Sequence, residues 1–411
     1  MIPLDDLPDD ILARVMSDRL RNMAVSRRFA SIVPKPQVWV ELQKPWQVTE
    51  LAHTLRMGLV DVVGITVLRK ETEDSTLERS FRRDRALLGK LMCLPQCRAL
   101  RTFKINNWFS SKLEKLEKIS VGEEGATLLA PALRQCPLLE ELILSKCYIE
   151  NNGVFSLATA ISNMTELRKL DLGANNISDD GLKSLVRSLS QCKKLELLDL
   201  GCNEISDEGV IGLSTLLPRW PSLKVLYLGE NRIGGEGVRR LAAVLPRCPL
   251  LEDLSLSSLN LYKFPGGIEP LAEVLPFCPM LRHLDINESC LNLQSTMALA
   301  KAIPHCVNLE ELYMATCEIE QNSVEALADA FVSAERLQYV RMQRNDFRDS
   351  ELLSEINETH PSIWIELEDS DNEIESEDSD NDIELEDSDN ESDNISYGHS
   401  DSEYSDSDDG G

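Results

Sequence analysis

The 411-residue chain has no uninterrupted apolar run approaching the ~18 residues of a membrane-spanning helix. Its first ten residues, MIPLDDLPDD, are acidic where a secretory leader would be basic. Both absences predict a soluble chain that is neither exported nor inserted in a bilayer. Catalytic signatures are missing too: there is no G-x-x-x-x-G-K-[ST] phosphate loop, no H-E-x-x-H helix and no Ser/His/Asp set. A chemistry of its own, and hence any catalytic residue, is not expected. No Lys or Arg occurs from Glu366 onward, whereas 21 Asp and Glu do. With a formal net charge of -28, residues 1–365 therefore carry only -28 + 21 = -7. A body of that sign is not a general nucleic-acid binder, because phosphate neutralisation needs a net basic face. Cys93-x-x-x-Cys97 has no second pair to complete a zinc site, so neither metal nor cofactor is expected.

What is present is a period. The first leucine of an L-x-x-L-x-L core recurs at Leu139, Leu167, Leu195, Leu223, Leu251, Leu281, Leu309 and Leu337, with spacings of 28, 28, 28, 28, 30, 28 and 28. Upstream, Leu100 of LRTFKI and Val62 of VVGITV continue the series at stretched intervals of 39 and 38. Eight of the eleven cysteines fall into the same columns, and Cys93, Cys202 and Cys290 do not. Cys97, Cys136, Cys192, Cys248, Cys278 and Cys306 each precede a core leucine by three positions, where Trp220 stands in one repeat. Cys147 and Cys317 occupy the position taken elsewhere by Asn175, Asn203, Asn231 and Asn345, while Leu259 and Ser289 interrupt that column. Cysteines placed by repetition, odd in number, fit a reducing compartment and argue against a disulfide framework. A cytoplasmic or nuclear location is expected.

Within one unit, Leu167 to Leu172 alternate apolar and polar as a strand does, and Leu182, Leu185, Val186 and Leu189 then follow at helical spacing. Ser178, Asp179 and Asp180 precede that helix and read as its cap and acidic first turn. A strand, turn and helix this short cannot bury an apolar face alone. Neighbours must stack, giving a parallel sheet on one side and a row of helices on the other. The asparagine column is then placed to bond backbone groups of the turn that leaves each strand.

These residues resemble leucine-rich repeats of the ribonuclease-inhibitor type, over about residues 59–364. The resemblance implies an α/β horseshoe of about ten repeats, with a concave parallel sheet, convex helices and a concave surface that binds other proteins. The side chains between the last two core leucines point away from the helices. They are Ile143, Asp171, Asp199, Tyr227, Ser255, Asp285, Tyr313 and Arg341. Asp171, Asp199, Tyr227, Asp285, Tyr313 and Arg341 are the candidate partner-binding set, the tyrosines serving as anchors. Asp171 and Asp199, on adjacent strands, either share a proton or a metal or, as the leading expectation, form part of a solvated acidic surface.

Residues 1–48 do not follow the period. Leu7-Pro8, then Ile11, Leu12 and Val15, then Leu20, Met23 and Ala24, and finally Phe29, Ile32 and Val33 read as short amphipathic helices. With Ser26-Arg27-Arg28-Phe29 and Trp39, residues 4–42 resemble an F-box. Only Ser17, Asp18 and Arg19 separate the first two runs, fewer residues than the family usually has. The resemblance implies that Leu7, Pro8, Ile11, Leu12 and Val15 contact the adaptor of an SCF ubiquitin ligase; the alternative is a helical cap for the end of the solenoid.

From residue 365 a nine-residue unit restarts at Ile365, Ile374 and Ile383, highly charged and without core-forming content. It predicts a disordered acidic tail over 365–411. Ser370, Ser379 and Ser388 each have an acidic residue three positions on, the pattern of acidophilic phosphorylation sites. The tail and the lengthened early repeat are also similar to the Ran GTPase-activating proteins. That second resemblance implies a functional loop at residues 106–118, with Lys112 where the family presents arginine and Asn175 nearest its functional asparagine. Lysine lacks the planar fork suited to phosphate oxygens. Trp108, Phe109, Leu113, Leu116 and Ile119 offer the other account of that loop, a hydrophobic flap over an early repeat. The leading expectation is thus a non-enzymatic SCF substrate receptor, with adaptor, cullin and a protein substrate as partners. The alternative is a Ran-type GTPase activator or GTPase-binding scaffold. In either case no nucleic acid or membrane is bound, and the chain is a monomer outside its complexes.

Overall fold

A computed structural model describes residues 37–42, 61–69, 100–107, 121–259, 267–347 and 351–367. The chain divides between Asp369 and Ser370, so every described residue belongs to the first unit. Twelve strands form one sheet in chain order, each paired parallel to the next. They are β1 (Gln37–Leu42), β2 (Asp61–Arg69), β3 (Thr102–Asn107), β4 (Glu141–Ile143), β5 (Lys169–Asp171), β6 (Leu197–Asp199), β7 (Val225–Tyr227), β8 (Asp253–Ser255), β9 (His283–Asp285), β10 (Glu311–Tyr313), β11 (Tyr339–Arg341) and β12 (Trp364–Glu366). Nine described α-helices return the chain between strands: α1 (Gly122–Leu133), α2 (Glu150–Ile161), α3 (Asp179–Leu189), α4 (Asp207–Ser214), α5 (Gly235–Ala242), α6 (Glu269–Val274), α7 (Leu293–Ala302), α8 (Val324–Ser333) and α9 (Glu351–Thr359).

The period explains the packing. In β4 to β11 the middle residue faces the helices, and Leu142, Leu170, Leu198, Leu226, Leu254, Leu284, Leu312 and Val340 are at most 2% exposed. Leu182, Leu185 and Leu189 of α3 are fully buried opposite them. The cysteine column is interior packing: Cys136, Cys192, Cys248, Cys278 and Cys306 are buried with Trp220, and burial pushes the Cys192 and Cys306 thiols up to about 12.

The asparagine column does what the sequence predicts. Asn203 is buried; its Nδ2 donates to the carbonyls of Leu172 (3.1 Å), Leu200 (2.9 Å) and Gly201 (3.1 Å), while its Oδ1 accepts from the N–H groups of Asn175 (3.1 Å) and Ile177 (3.0 Å). Where Cys317 replaces asparagine, its thiol donates to Ile286 O and Ala315 O, and Ser289 bonds Leu256 O and Asn287 O in the same way.

Three expectations change. The sheet reaches further than residues 59–364 on both sides, with twelve strands against about ten expected repeats. β1 lies inside the segment read as F-box-like, because Gln37–Leu42 pairs parallel with β2, with a shift of one residue in register between Val38 and Trp39. Ile365 and Glu366, read as the start of the tail, are strand residues, since Ile365 packs into the core at 1% exposure. The helix caps come from an unexpected quarter. Ser178 is the N-cap of α3 but makes no cap bond with its side chain. Asn151, one repeat earlier, accepts from the N–H groups of Ser178 (3.0 Å) and Gly181 (3.1 Å) instead.

Candidate functional site: the open face of the sheet

The residues flanking the buried middle position of each strand are the ones that look away from the helices. The pairing puts the third strand residues in one continuous row: Ile143 beside Asp171, then Asp199, Tyr227, Ser255, Asp285, Tyr313, Arg341 and Glu366. All but the last are the residues that the sequence assigned to this face. Part of the row lines a trough of about 570 Å³ with Asp253, His283 and Glu311 from the first strand position and Lys146, Cys202 and Glu230 from the turns.

The trough is acidic, and two of its carboxyls, Asp171 and Asp199, are held in surroundings that oppose their charge. Burial raises the Asp171 carboxyl above its ordinary range, against the Gly173 N–H, the Ser145 hydroxyl and the Lys146 charge. Burial and then the neighbouring Asp171 charge push Asp199 up to about 6. Each carboxylate accepts one backbone N–H, Asp171 from Gly173 (3.0 Å) and Asp199 from Gly201 (2.9 Å). Asp285 accepts from the Asn287 N–H (3.1 Å) and the Ser255 hydroxyl (2.9 Å). Among the described residues, no cluster of three or more His, Cys, Asp or Glu is arranged to hold a metal ion.

Farther along the row the face becomes aromatic. Burial raises the Tyr227 phenol, reinforced by Asp253, Asp199 and Asp285. Tyr313 donates its hydroxyl to Glu311 (2.5 Å), and its ring centroid lies 5.5 Å from that of Tyr339. Arg341 donates to Gln343 (2.7 Å) and stands 3.6 Å from Glu366, so its charge is partly answered within the chain.

A second charged column, which sequence reasoning did not single out, sits one residue after each core leucine from Leu100 to Leu309. Its signs alternate from repeat to repeat, and it pairs as Arg101–Glu140, Arg168–Glu196, Lys224–Glu252 (3.1 Å) and Arg282–Glu310 (2.7 Å). The alternation is readable in the sequence once the period is known.

Asn175 is in the ladder and not on the surface: it is fully buried, and its amide is occupied by Leu144 O, Gly173 O and the N–H groups of Cys147 and Ile149. Leu7, Pro8, Ile11, Leu12, Val15, Lys112, Ser370, Ser379 and Ser388 lie outside the described residues, as do Cys93, Cys97 and the expected flap of residues 108–119. So does the tail from residue 368 onward. Among the described residues, no helix is long and apolar enough to cross a membrane.

Residues 135–158, 163–186, 191–214 and 221–242 match the Leucine Rich repeat family. No curated protein matches the sequence significantly. Among solved structures, an internalin from Listeria monocytogenes is 13% identical over 81% of this chain and 86% of its own, with a TM-score of 0.45. Leiomodin-1 actin-binding site 2 is 15% identical over 38% of this chain and 88% of its own, with a TM-score of 0.32. The tropomodulin C-terminal domain of Caenorhabditis elegans is 19% identical over 37% and 92%, with a TM-score of 0.31. The repeats and the sheet define the chain as a leucine-rich-repeat solenoid, a class of repeat protein that binds other proteins.

Proposed function

We propose that this protein is a non-enzymatic receptor: the open face of its sheet takes a protein substrate, and its N-terminal segment attaches that substrate to an SCF ubiquitin ligase. The observation that carries the reading is the in-register row from Asp171 to Tyr313, a half-buried surface of carboxylates and aromatic anchors suited to recognition. The F-box-like residues Leu7, Pro8, Ile11, Leu12 and Val15 supply the adaptor contact. β1 begins at Gln37, so the F-box-like stretch itself runs into the sheet. Nine free cysteines among the described residues accord with a reducing cytoplasmic or nuclear setting.

A second reading, activation of a Ran-type GTPase, draws on β3. Its residues Ile105–Asn107 pair with β2 only, carrying the strand past its register with β4 and into the lengthened 106–118 stretch. Asn175 offers that reading nothing, being buried and fully engaged, and Lys112 becomes its test residue.

Affinity purification of the full-length chain beside a Leu7→Ala, Pro8→Ala variant separates the two. Adaptor and cullin recovered with the wild type and lost with the variant support the receptor. A small GTPase recovered equally with both, without a cullin, sinks it.

A further inference from the structure

Along this solenoid, charges on the strands and their approaches are mostly answered from within. The alternating column pairs Arg101 with Glu140, Arg168 with Glu196, Lys224 with Glu252 and Arg282 with Glu310. At the first strand position Glu141 sits between Lys104 (2.7 Å) and Lys169 (3.1 Å), and Asp253 meets His283 at 2.8 Å. The third-position row is different. Asp171, Asp199 and Asp285 form no ion pair among the described residues, although they are partly buried and the protein pairs acids beside them. Among the described residues, Lys146 is the one Lys or Arg lining their trough. A sheet that compensates its neighbouring columns and gives this one only Lys146, beside Asp171, presents a face that stays net negative and favours a counter-charge from outside.

We propose that the open face of β5 to β10 docks an extended, cationic segment of a partner protein, with two Lys or Arg side chains four positions apart. This rests on the protein-binding reading above and names the partner's chemistry. Asp199 and Asp285 are three strands apart, about 14 Å at ~4.8 Å per strand. An extended chain laid across the strands covers that in about four residues at ~3.4 Å each, and an even separation keeps both side chains on one face. The first cation meets the Asp171–Asp199 pair, whose ionised forms burial disfavours, with the Asp171 charge adding to the effect at Asp199. The second meets Asp285. Between them the segment crosses Tyr227 and Ser255, and beyond them it reaches Tyr313, so cation and ring contacts alternate along the row. The chain's own acidic tail cannot be the occupant: it carries 21 Asp and Glu from Glu366 onward and no Lys or Arg. A second copy, with a body charge of -7, is disfavoured by the same sign.

The test uses the full-length chain and a labelled synthetic peptide with two arginines four positions apart in a serine–valine host. Its affinity is compared for wild type, an Asp199→Asn, Asp285→Asn variant, and a Glu196→Gln, Glu252→Gln variant that removes the same charge from the compensated column. All three keep the tail, so its attraction for the peptide cancels. The expected result is a loss of roughly tenfold or more in affinity for the Asp variant alone, and weaker binding of a peptide with its arginines three positions apart. Equal affinity for the two variants, or for the two peptides, overturns the assignment. An Asp variant that still captures the same cellular substrate together with the adaptor also overturns it while leaving the receptor reading standing.

Discussion

Asn203 closes two turns at once, its own through the carbonyls of Leu200 and Gly201 and the preceding repeat's through Leu172 O and the N–H groups of Asn175 and Ile177. Removing a buried amide strands its former partners, each costing about 1–3 kcal/mol when left unsatisfied. Asn203→Ala should therefore destabilise the solenoid by about 3 kcal/mol in urea unfolding. Asn203→Cys should cost less, because Cys317 shows that a thiol can serve two of the carbonyls. Asp199 makes the opposite prediction. Its carboxyl is raised from 3.8 to about 6 in the fold, so protonation favours the folded state, and that stability is lost as pH rises through 6. Asp199→Asn should stabilise by about 1–2 kcal/mol at pH 7, with the part facing solvent discounted. The difference from wild type should shrink through pH 6 and vanish below about pH 4; thermal melts across that range check it.

At the scale of the element, the starts of α3, α4 and α5 are each held by a side chain of the preceding helix. Asp179, the first residue of α3, accepts from Ser206 N–H (2.8 Å) and Gly209 N–H (3.0 Å) at the start of α4. Asp207 does the same for α5 through Gly234 (2.7 Å) and Gly237 (2.8 Å). The close approach leaves no room for a Cβ at Gly209, which would overlap Asp179 Oδ1. Asp179→Ala should then cost about 1–2 kcal/mol, and the damage should appear in the next repeat. Hydrogen exchange should accelerate in α4, Asp207–Ser214, more than in α3 itself; the reverse pattern would show that Asp179 serves its own helix.

At the scale of the whole sheet, twelve strands in chain order leave β12 as the terminal edge among the described residues. Trp364 N–H donates to Gln338 O, and Glu366 O accepts from Met342 N–H, so both residues face β11. Ile365 therefore turns its backbone groups outward. Asn357 of α9 covers them, accepting from Ile365 N–H (2.7 Å) and donating to Ile365 O (2.9 Å). An uncovered edge is a template for another strand. Asn357→Ala should introduce concentration-dependent self-association relative to wild type, read by light scattering across a dilution series. Unchanged mass at high concentration would mean that the edge is guarded by something else. The exposed alternating ion pairs contribute little to stability individually, since roughly half-exposed pairs are screened by solvent.

The sequence by itself determined the repeat, because a 28-residue period of leucines has one economical burial: strands stacked in register with helices behind them. The same period made the asparagine ladder, the buried cysteines and the row from Ile143 to Arg341 legible. Position within the repeat dictates whether such a side chain faces core, turn or open face. What the period did not reach, only tertiary structure decided. β1 carries none of the leucine pattern and joins the sheet through backbone pairing with β2. The left-handed turn residues Lys146, Ala174, Cys202, Glu230, Ser258, Glu288, Thr316 and Arg344 share φ between 51° and 55° but no chemistry, because the ladder bonds beside them impose the conformation. The relay of caps, the guard at Ile365 and the net negative row of Asp171, Asp199 and Asp285 likewise depend on which side chains meet across the fold. Most of those meetings join residues a full repeat apart, and identity at one position says nothing about its partner until the repeats are stacked.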